Sequence, residues 1–274
     1  MAVKKEANGR RSVQVEVEVP GTPEQVWQAI ATGPGISSWF APTSVEERVG
    51  GKVVNEVMPG MESTATIKAW EPPRRLAAED PGWAPGMPPV ATEWTIEARA
   101  GGKCLVRVVH SLFASTDDWD NQLEGTETGW PGFFRVLRIY LANFFGQRCS
   151  PIRVVGMAAG SEPEAWKKLA GSLGLGAMPI AGQEVTVAGA SPRFSGVVEH
   201  ASEAKDHHNF VVRVKEPAPG VVSIGSFDCS GMVMAMVSFY LYGDAAAAAA
   251  KRDEPLWQAW ISKHFPAASE ATGA

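Results

Sequence analysis

One short pattern occurs twice in this chain, and it limits the folds open to the rest. Gly21-Thr22-Pro23-Glu24-Gln25-Val26-Trp27-Gln28-Ala29-Ile30-Ala31-Thr32-Gly33 is paralleled by Gly160-Ser161-Glu162-Pro163-Glu164-Ala165-Trp166-Lys167-Lys168-Leu169-Ala170-Gly171. Each copy has a hydroxyl residue suited to cap a helix, a proline in the first turn, a glutamate, a tryptophan, an aliphatic and a closing glycine. A strand-like run precedes each copy. Val13–Val19 alternates valine with polar residues, the period of a half-buried strand, and Ile152–Met157 is its shorter counterpart. This is an internal duplication with its boundary near Gly146–Pro151. At 274 residues the chain has room for two domains of about 100–150 residues each.

The elements after each copy also follow one order. In the first half Gly33-Pro34-Gly35 is expected to end the helix, with a short apolar element, Ile36–Phe40, behind it. Strand-like runs follow at Lys52–Met58, Ser63–Trp70, Arg75–Glu79, Ala91–Arg99 and Lys103–Phe113, the last two joined by a Gly101-Gly102 hairpin. Pro81–Pro89 is Pro/Gly-rich and is expected to be a loop. The longest helix is expected from Gly125 to Phe145, where Trp130, Phe133, Phe134, Leu137, Tyr140, Leu141 and Phe144 form one aromatic stripe opposite Arg135 and Arg138. In the second half, runs at Glu184–Ala188, Phe194–Ala201, Asn209–Lys215, Val221–Cys229 and Met232–Tyr242 lead through polyalanine into a second long helix ending at Phe265. The expected class is α+β: two tandem units, each a run of antiparallel strands closed by a long C-terminal helix.

Composition narrows the function. A net charge of -5 gives no basic face for nucleic acid. Lys4, Lys5, Arg10 and Arg11 fall in an expected disordered tail, residues 1–12, and read as solvated charge; residues 267–274 are expected to be a second tail. No apolar run reaches the roughly 18–20 residues of a membrane span, and no apolar h-region follows the N-terminal charges. Cys104, Cys149 and Cys229 are scattered, as free thiols would be, and the expected location is cytoplasmic. The sequence shows no phosphate loop, HExxH or local nucleophile signature, so no cofactor is expected.

The stretches VEVPGTPEQVWQAIATGPGISSWF, Ala65-Thr66-Ile67-Lys68-Ala69-Trp70-Glu71-Pro72-Pro73-Arg74-Arg75-Leu76 and Gly129-Trp130 with the helix behind it frame residues 13–145. In these the chain resembles the START/Bet v 1-like (SRPBCC) superfamily, and within it the activator of Hsp90 ATPase homologue 1-like group. The resemblance implies tandem helix-grip units, each a curved antiparallel sheet wrapped around a long C-terminal helix with a cavity between them: one domain over 13–147 and, by element order, a divergent second domain over 151–266. It implies no reaction, because the superfamily holds carriers, cyclases, sensors and co-chaperone-like modules.

The expected ligand is an apolar small molecule, held in the first domain by Asn55, Trp94, His110, Trp130, Phe133, Phe134, Leu137, Tyr140 and Leu141. Parity in Lys103–Phe113 turns Val106, Val108, His110 and Leu112 inward. On that wall His110 is either an acid/base group near neutral pH or a core histidine satisfied by its surroundings. A binding protein, a cyclase/aromatase-type enzyme using His110 with Asn55 or Tyr140, and a chaperone-associated interaction module are the three functions weighed. His207-His208 with His200 and Asp206 read as a solvated turn and not a metal site, so no metal is expected. Glu46-Glu47 and Asp117-Asp118 read as surface charge. Met232–Tyr242 is apolar on both parities, which implies cover on both sides, by packing or by a homodimer interface through the second domain.

Overall fold

The structure, a computed structural model, describes residues 3–58, 60–82, 86–175, 179–188, 192–204, 207–229 and 231–266. The chain divides into two compact units, Met1–Phe145 and Gly146–Ala274. The first runs β1 (Lys4–Lys5), β2 (Arg10–Pro20), α1 (Pro23–Ala31), α2 (Gly33–Ser37), β3 (Thr43–Val45), β4 (Lys52–Met58), β5 (Met61–Glu71), β6 (Arg75–Asp80), β7 (Val90–Arg99), β8 (Lys103–Phe113) and α3 (Asp120–Asn143). Its eight strands form one antiparallel sheet in the order β1-β2-β8-β7-β6-β5-β4-β3. The second runs β9 (Cys149–Ala158), α4 (Glu162–Ser172), β10 (Glu184–Val187), β11 (Phe194–Ala204), β12 (His207–Glu216), β13 (Gly220–Cys229), β14 (Met232–Tyr242) and α5 (Ala246–His264). Its six strands pair in the order β10-β11-β12-β13-β14-β9. Both units are helix-grip arrangements, with the strand that precedes the capped helix (β2 or β9) beside the last (β8 or β14) and a long closing helix.

The repeated pattern does in both copies what its chemistry requires. Thr22 Oγ1 accepts from the Gln25 N–H while Gln25 Oε1 accepts from the Thr22 N–H, a closed capping box. Ser161 donates through its N–H and hydroxyl to the Glu164 carboxylate. These bonds hold the Glu164 carboxyl below its ordinary range. In the second unit the core gathers Val154, Trp166, Leu169, Phe194, Phe210, Val237, Phe239, Trp257 and Ile261 between the sheet and its helices. Both parities of β14 are buried, as its double apolar pattern required. Cys104 and Cys149 are free thiols. No described helix is long and apolar enough to cross a membrane.

Four expectations need correction. Residues 4–5 and 10–12 are strand and not tail, because Arg11 is buried and its guanidinium binds both oxygens of Asp120, Asp117 Oδ1 and the Ala114 carbonyl. Asp117 therefore belongs to an ion-pair cluster with Arg11 and Lys5 and is not idle surface charge. Gly33-Pro34-Gly35 starts α2 instead of merely ending α1, because the Thr32 hydroxyl caps the Gly35 N–H. The long helix begins at Asp120, five residues before the aromatic pattern suggested, since the Arg11 contact and the fully buried Leu123 hold its first turn. The second expected tail, 267–274, lies outside the described residues.

The close of α5 on β9 depends on one glycine. A Cβ at Gly156 would lie 2.7 Å from the Phe265 carbonyl oxygen and would overlap the Phe265 side chain, which is fully buried. Gly171, in α4, has open space around it. Gly156→Ala should lower the unfolding free energy of the second unit by about 1–3 kcal/mol through overpacking. Gly171→Ala should leave it unchanged or raise it by up to about 1 kcal/mol through helix propensity. Urea titrations of the two variants check the contrast.

Candidate functional site

The site grows from parity on two paired strands. On β8, Val106, Val108, His110 and Leu112 are all buried, and in the pairing with β7 Thr92 lies opposite His110 and Trp94 opposite Val108. Partners directly opposite share a face, so Thr92, Trp94 and His110 all look toward α3. There Trp130 donates its indole N–H to His110 Nε2 at 2.7 Å, with the two ring planes within 13° of parallel and their centroids 5.7 Å apart. An indole N–H can only donate, which makes Nε2 an acceptor and places the imidazole proton on Nδ1. Nδ1 in turn meets Thr92 Oγ1 at 2.8 Å. The ring is neutral and held at both nitrogens. Burial pushes its pKa down to about 3.

An aromatic cluster surrounds this pair. Trp94 meets Trp130 edge-on at 5.0 Å, Phe134 stacks on Trp130 at 5.4 Å, and Phe40 stacks on Trp130 at 5.4 Å. Phe133 meets Phe40 edge-on at 4.7 Å, and Trp39 lies 6.3 Å from Trp94. Trp39, Trp130 and Phe134 are buried, whereas Phe40, Trp94 and Phe133 remain partly exposed. These half-covered rings form an apolar surface in contact with the sheet's inner face.

The structure brings together only part of the expected set. Trp94, His110, Trp130, Phe133 and Phe134 meet. Leu137 and Tyr140 are buried, and Leu141 half-buried, further along α3, where Tyr140 contacts Phe145 at 6.3 Å. Asn55 sits on β4, four strands from His110, with its Oδ1 accepting from Thr43 Oγ1 at 2.8 Å. Sequence reasoning missed Thr92, Trp39 and Phe40 as site members, and it did not single out the Ser63–Asp80 pair on the same sheet. Extending the Trp94–Ile96 parity back two residues finds Thr92, and extending Leu76–Ala78 forward finds Asp80, a buried acid that accepts from Ser63 Oγ at 2.7 Å and from the Gly82 N–H at 2.8 Å. Trp39 and Phe40 had no periodic signal, since a bend after α2 delivers them. A recess of 410 Å³ lies apart from this cluster, at Arg148–Pro151 with Gly243 and Ala247, and none of its lining residues is aromatic.

In the second unit the histidine pair is not a turn. His207 and His208 open β12, and the buried Glu162 carboxylate accepts from the His208 N–H at 3.1 Å, from His208 Nδ1 at 2.8 Å and from the Ser226 hydroxyl. Trp166 stacks on His208 at 5.3 Å and 11°. A buried carboxylate needs such donors, and they draw His208 inward. Among the described residues no group of three or more His, Cys, Asp or Glu could hold a metal ion.

Residues 20–142 match the family described as activator of Hsp90 ATPase homolog 1-like protein. No curated protein matches the chain. Among solved structures, DynU16 of the dynemicin biosynthetic locus is similar at 20% identity and a TM-score of 0.42, over 92% of this chain and 96% of its own. The di-domain ARO/CYC BexL of the BE-7585A biosynthetic pathway is similar at 14% identity and a TM-score of 0.44, over 94% of this chain and 99% of its own. The Aha1 dimer from Colwellia psychrerythraea shows 20% identity and a TM-score of 0.42, over 49% of this chain and 98% of its own.

The buried imidazole sets a pH dependence. Its folded pKa lies below its unfolded value, so the unfolded state binds the extra proton between about pH 6.5 and pH 3, and stability falls as pH drops through that window. The slope from this group is about 1.4 kcal/mol per pH unit. His110→Gln can accept from Trp130 and donate to Thr92 without titrating. Its unfolding free energy should fall less steeply than wild type between pH 6 and pH 4, measured by urea titration at each pH.

Proposed function

With residues 20–142 belonging to the activator of Hsp90 ATPase homologue 1-like family of the START/Bet v 1-like superfamily, we propose that the chain binds an apolar, aromatic small molecule in its first unit, as a carrier or sensor. One observation carries this reading: the half-covered rings of Phe40, Trp94 and Phe133, set around the buried Trp130 between sheet and helix. Such rings bury large area on a planar guest and favour edge-on or offset contacts with it. A cyclase-type reaction would need a proton-transfer group on this wall. His110 is the one that sequence parity suggested, but its two nitrogens are engaged by Trp130 and Thr92, which favours binding over proton transfer.

The test is a titration with 9-(hydroxymethyl)anthracene, followed by energy transfer from tryptophan. Saturable binding near one molecule per chain is expected. Phe133→Ala and Trp94→Ala should each weaken it about tenfold, since loss of one aromatic contact and its buried area amounts to about 1.5 kcal/mol. Unchanged far-ultraviolet circular dichroism shows that the variants fold. Failure of this probe and of larger polycyclic hydrocarbons to bind would shift the function to a protein-interaction role.

A further inference from the structure

Asp80 ends β6 on the inner face of the first sheet. It pairs with Val90, and its neighbour two residues back, Ala78, pairs with Thr92. Asp80 is thus diagonal to Thr92 on the same face, at the roughly 7–8 Å that sheet geometry sets for such pairs. Thr92 is the partner of His110, so the carboxylate lies one strand beyond the aromatic cluster. It is 7% exposed. Its hydrogen-bond partners among the described residues are neutral, the Ser63 hydroxyl and the Gly82 N–H, and no cation pairs with it there. A carboxylate offers about four acceptor positions, and the described residues fill two. Buried carboxylates are ordinarily matched by a cation or by further donors, because their removal from water is costly.

Resting on the binding function above, we propose that Asp80 selects the guest: the first unit takes an aromatic molecule that carries a hydrogen-bond donor, best a protonated amine, directed at the Asp80 carboxylate. The rings of Phe40, Trp94 and Phe133 hold the planar part, and Asp80 fixes which end enters. A carboxylate-bearing guest of the same shape is rejected, since two buried acids would face each other.

Three probes with one ring system separate the contributions: 9-(aminomethyl)anthracene, 9-(hydroxymethyl)anthracene and anthracene-9-carboxylate. The wild-type chain should bind the ammonium at least about tenfold more tightly than the carboxylate, the scale of a charge-assisted hydrogen bond. Asp80→Asn keeps the Gly82 contact through Oδ1 and can donate to Ser63 through its amide, so the turn is retained while the charge is lost. This variant should lose about tenfold in affinity for the ammonium and stay within about threefold for the hydroxymethyl compound. Ser63→Ala, which leaves the charge in place, should keep the ammonium preference. Equal binding of all three probes, unchanged by Asp80→Asn, would overturn the role of Asp80 and leave the aromatic site standing. Binding of none by the wild-type chain would overturn both.

Discussion

A polar ring placed in an apolar interior must have every nitrogen matched, and this requirement fixes the first unit around His110. Thr92 on β7, His110 on β8 and Trp130 on α3 form one chain of hydrogen bonds that ties helix to sheet at a single register. The helix needs such a tie. Gly125 and Gly129 lie inside it without a steric reason, and Pro131 removes one backbone donor, each unfavourable by about 1 kcal/mol for glycine and more for proline. Intrinsic propensity therefore does not position Trp130. Two contacts do: the His110 bond to Trp130 in mid-helix, and the Arg11–Asp120 ion pair at the first turn.

The two units share an opening and put it to different uses. In α1 the tryptophan of the repeated pattern, Trp27, packs edge-on against Trp70 at 4.9 Å. In α4 its counterpart Trp166 covers His208. The position that holds Pro23 in the first copy holds Glu162 in the second, and that one change places a carboxylate in the interior. Ser226 and both donors of His208 then gather on it. Polar matching thus occurs in both interiors, centred on an imidazole in one and on a carboxylate in the other.

Much of the architecture was legible in the residue pattern because period-two and helical spacing report burial directly. Val13–Val19, Trp94–Ile96 and Val106–Leu112 gave the inner face, and the capping hydroxyls gave both helix starts. Long-range pairings were not legible. Nothing local in Lys4–Arg11 announces that Asp117 and Asp120 wait about a hundred residues away to hold Arg11 inside. Polarity misled at His207-His208 for the same reason: the donors of His208 are satisfied by a carboxylate on another element. Asn55 was chosen for its inward parity alone, which does not reveal how many strands separate it from His110. Within the site, the rings were legible as a stripe, but the neutrality of His110 follows only from seeing Trp130 point at it.

Each unit keeps its closing helix for the end of its sequence. The inner faces built from residues 10–113 and from residues 149–242 are complete as sheets before α3 and α5 follow them. A ribosome emits the chain from its N-terminus at about 5–20 residues per second. During the interval before Asp120–Asn143 clears the exit tunnel, the face carrying Trp94, Val106, Val108 and His110 lacks α3 to cover it. The nascent first unit must pass through a stage in which its most apolar surface is open to solvent. A stop codon or a protease cut between Phe113 and Asp120 would make that transient stage permanent, leaving a chain with a sheet, a full set of strands and no lid.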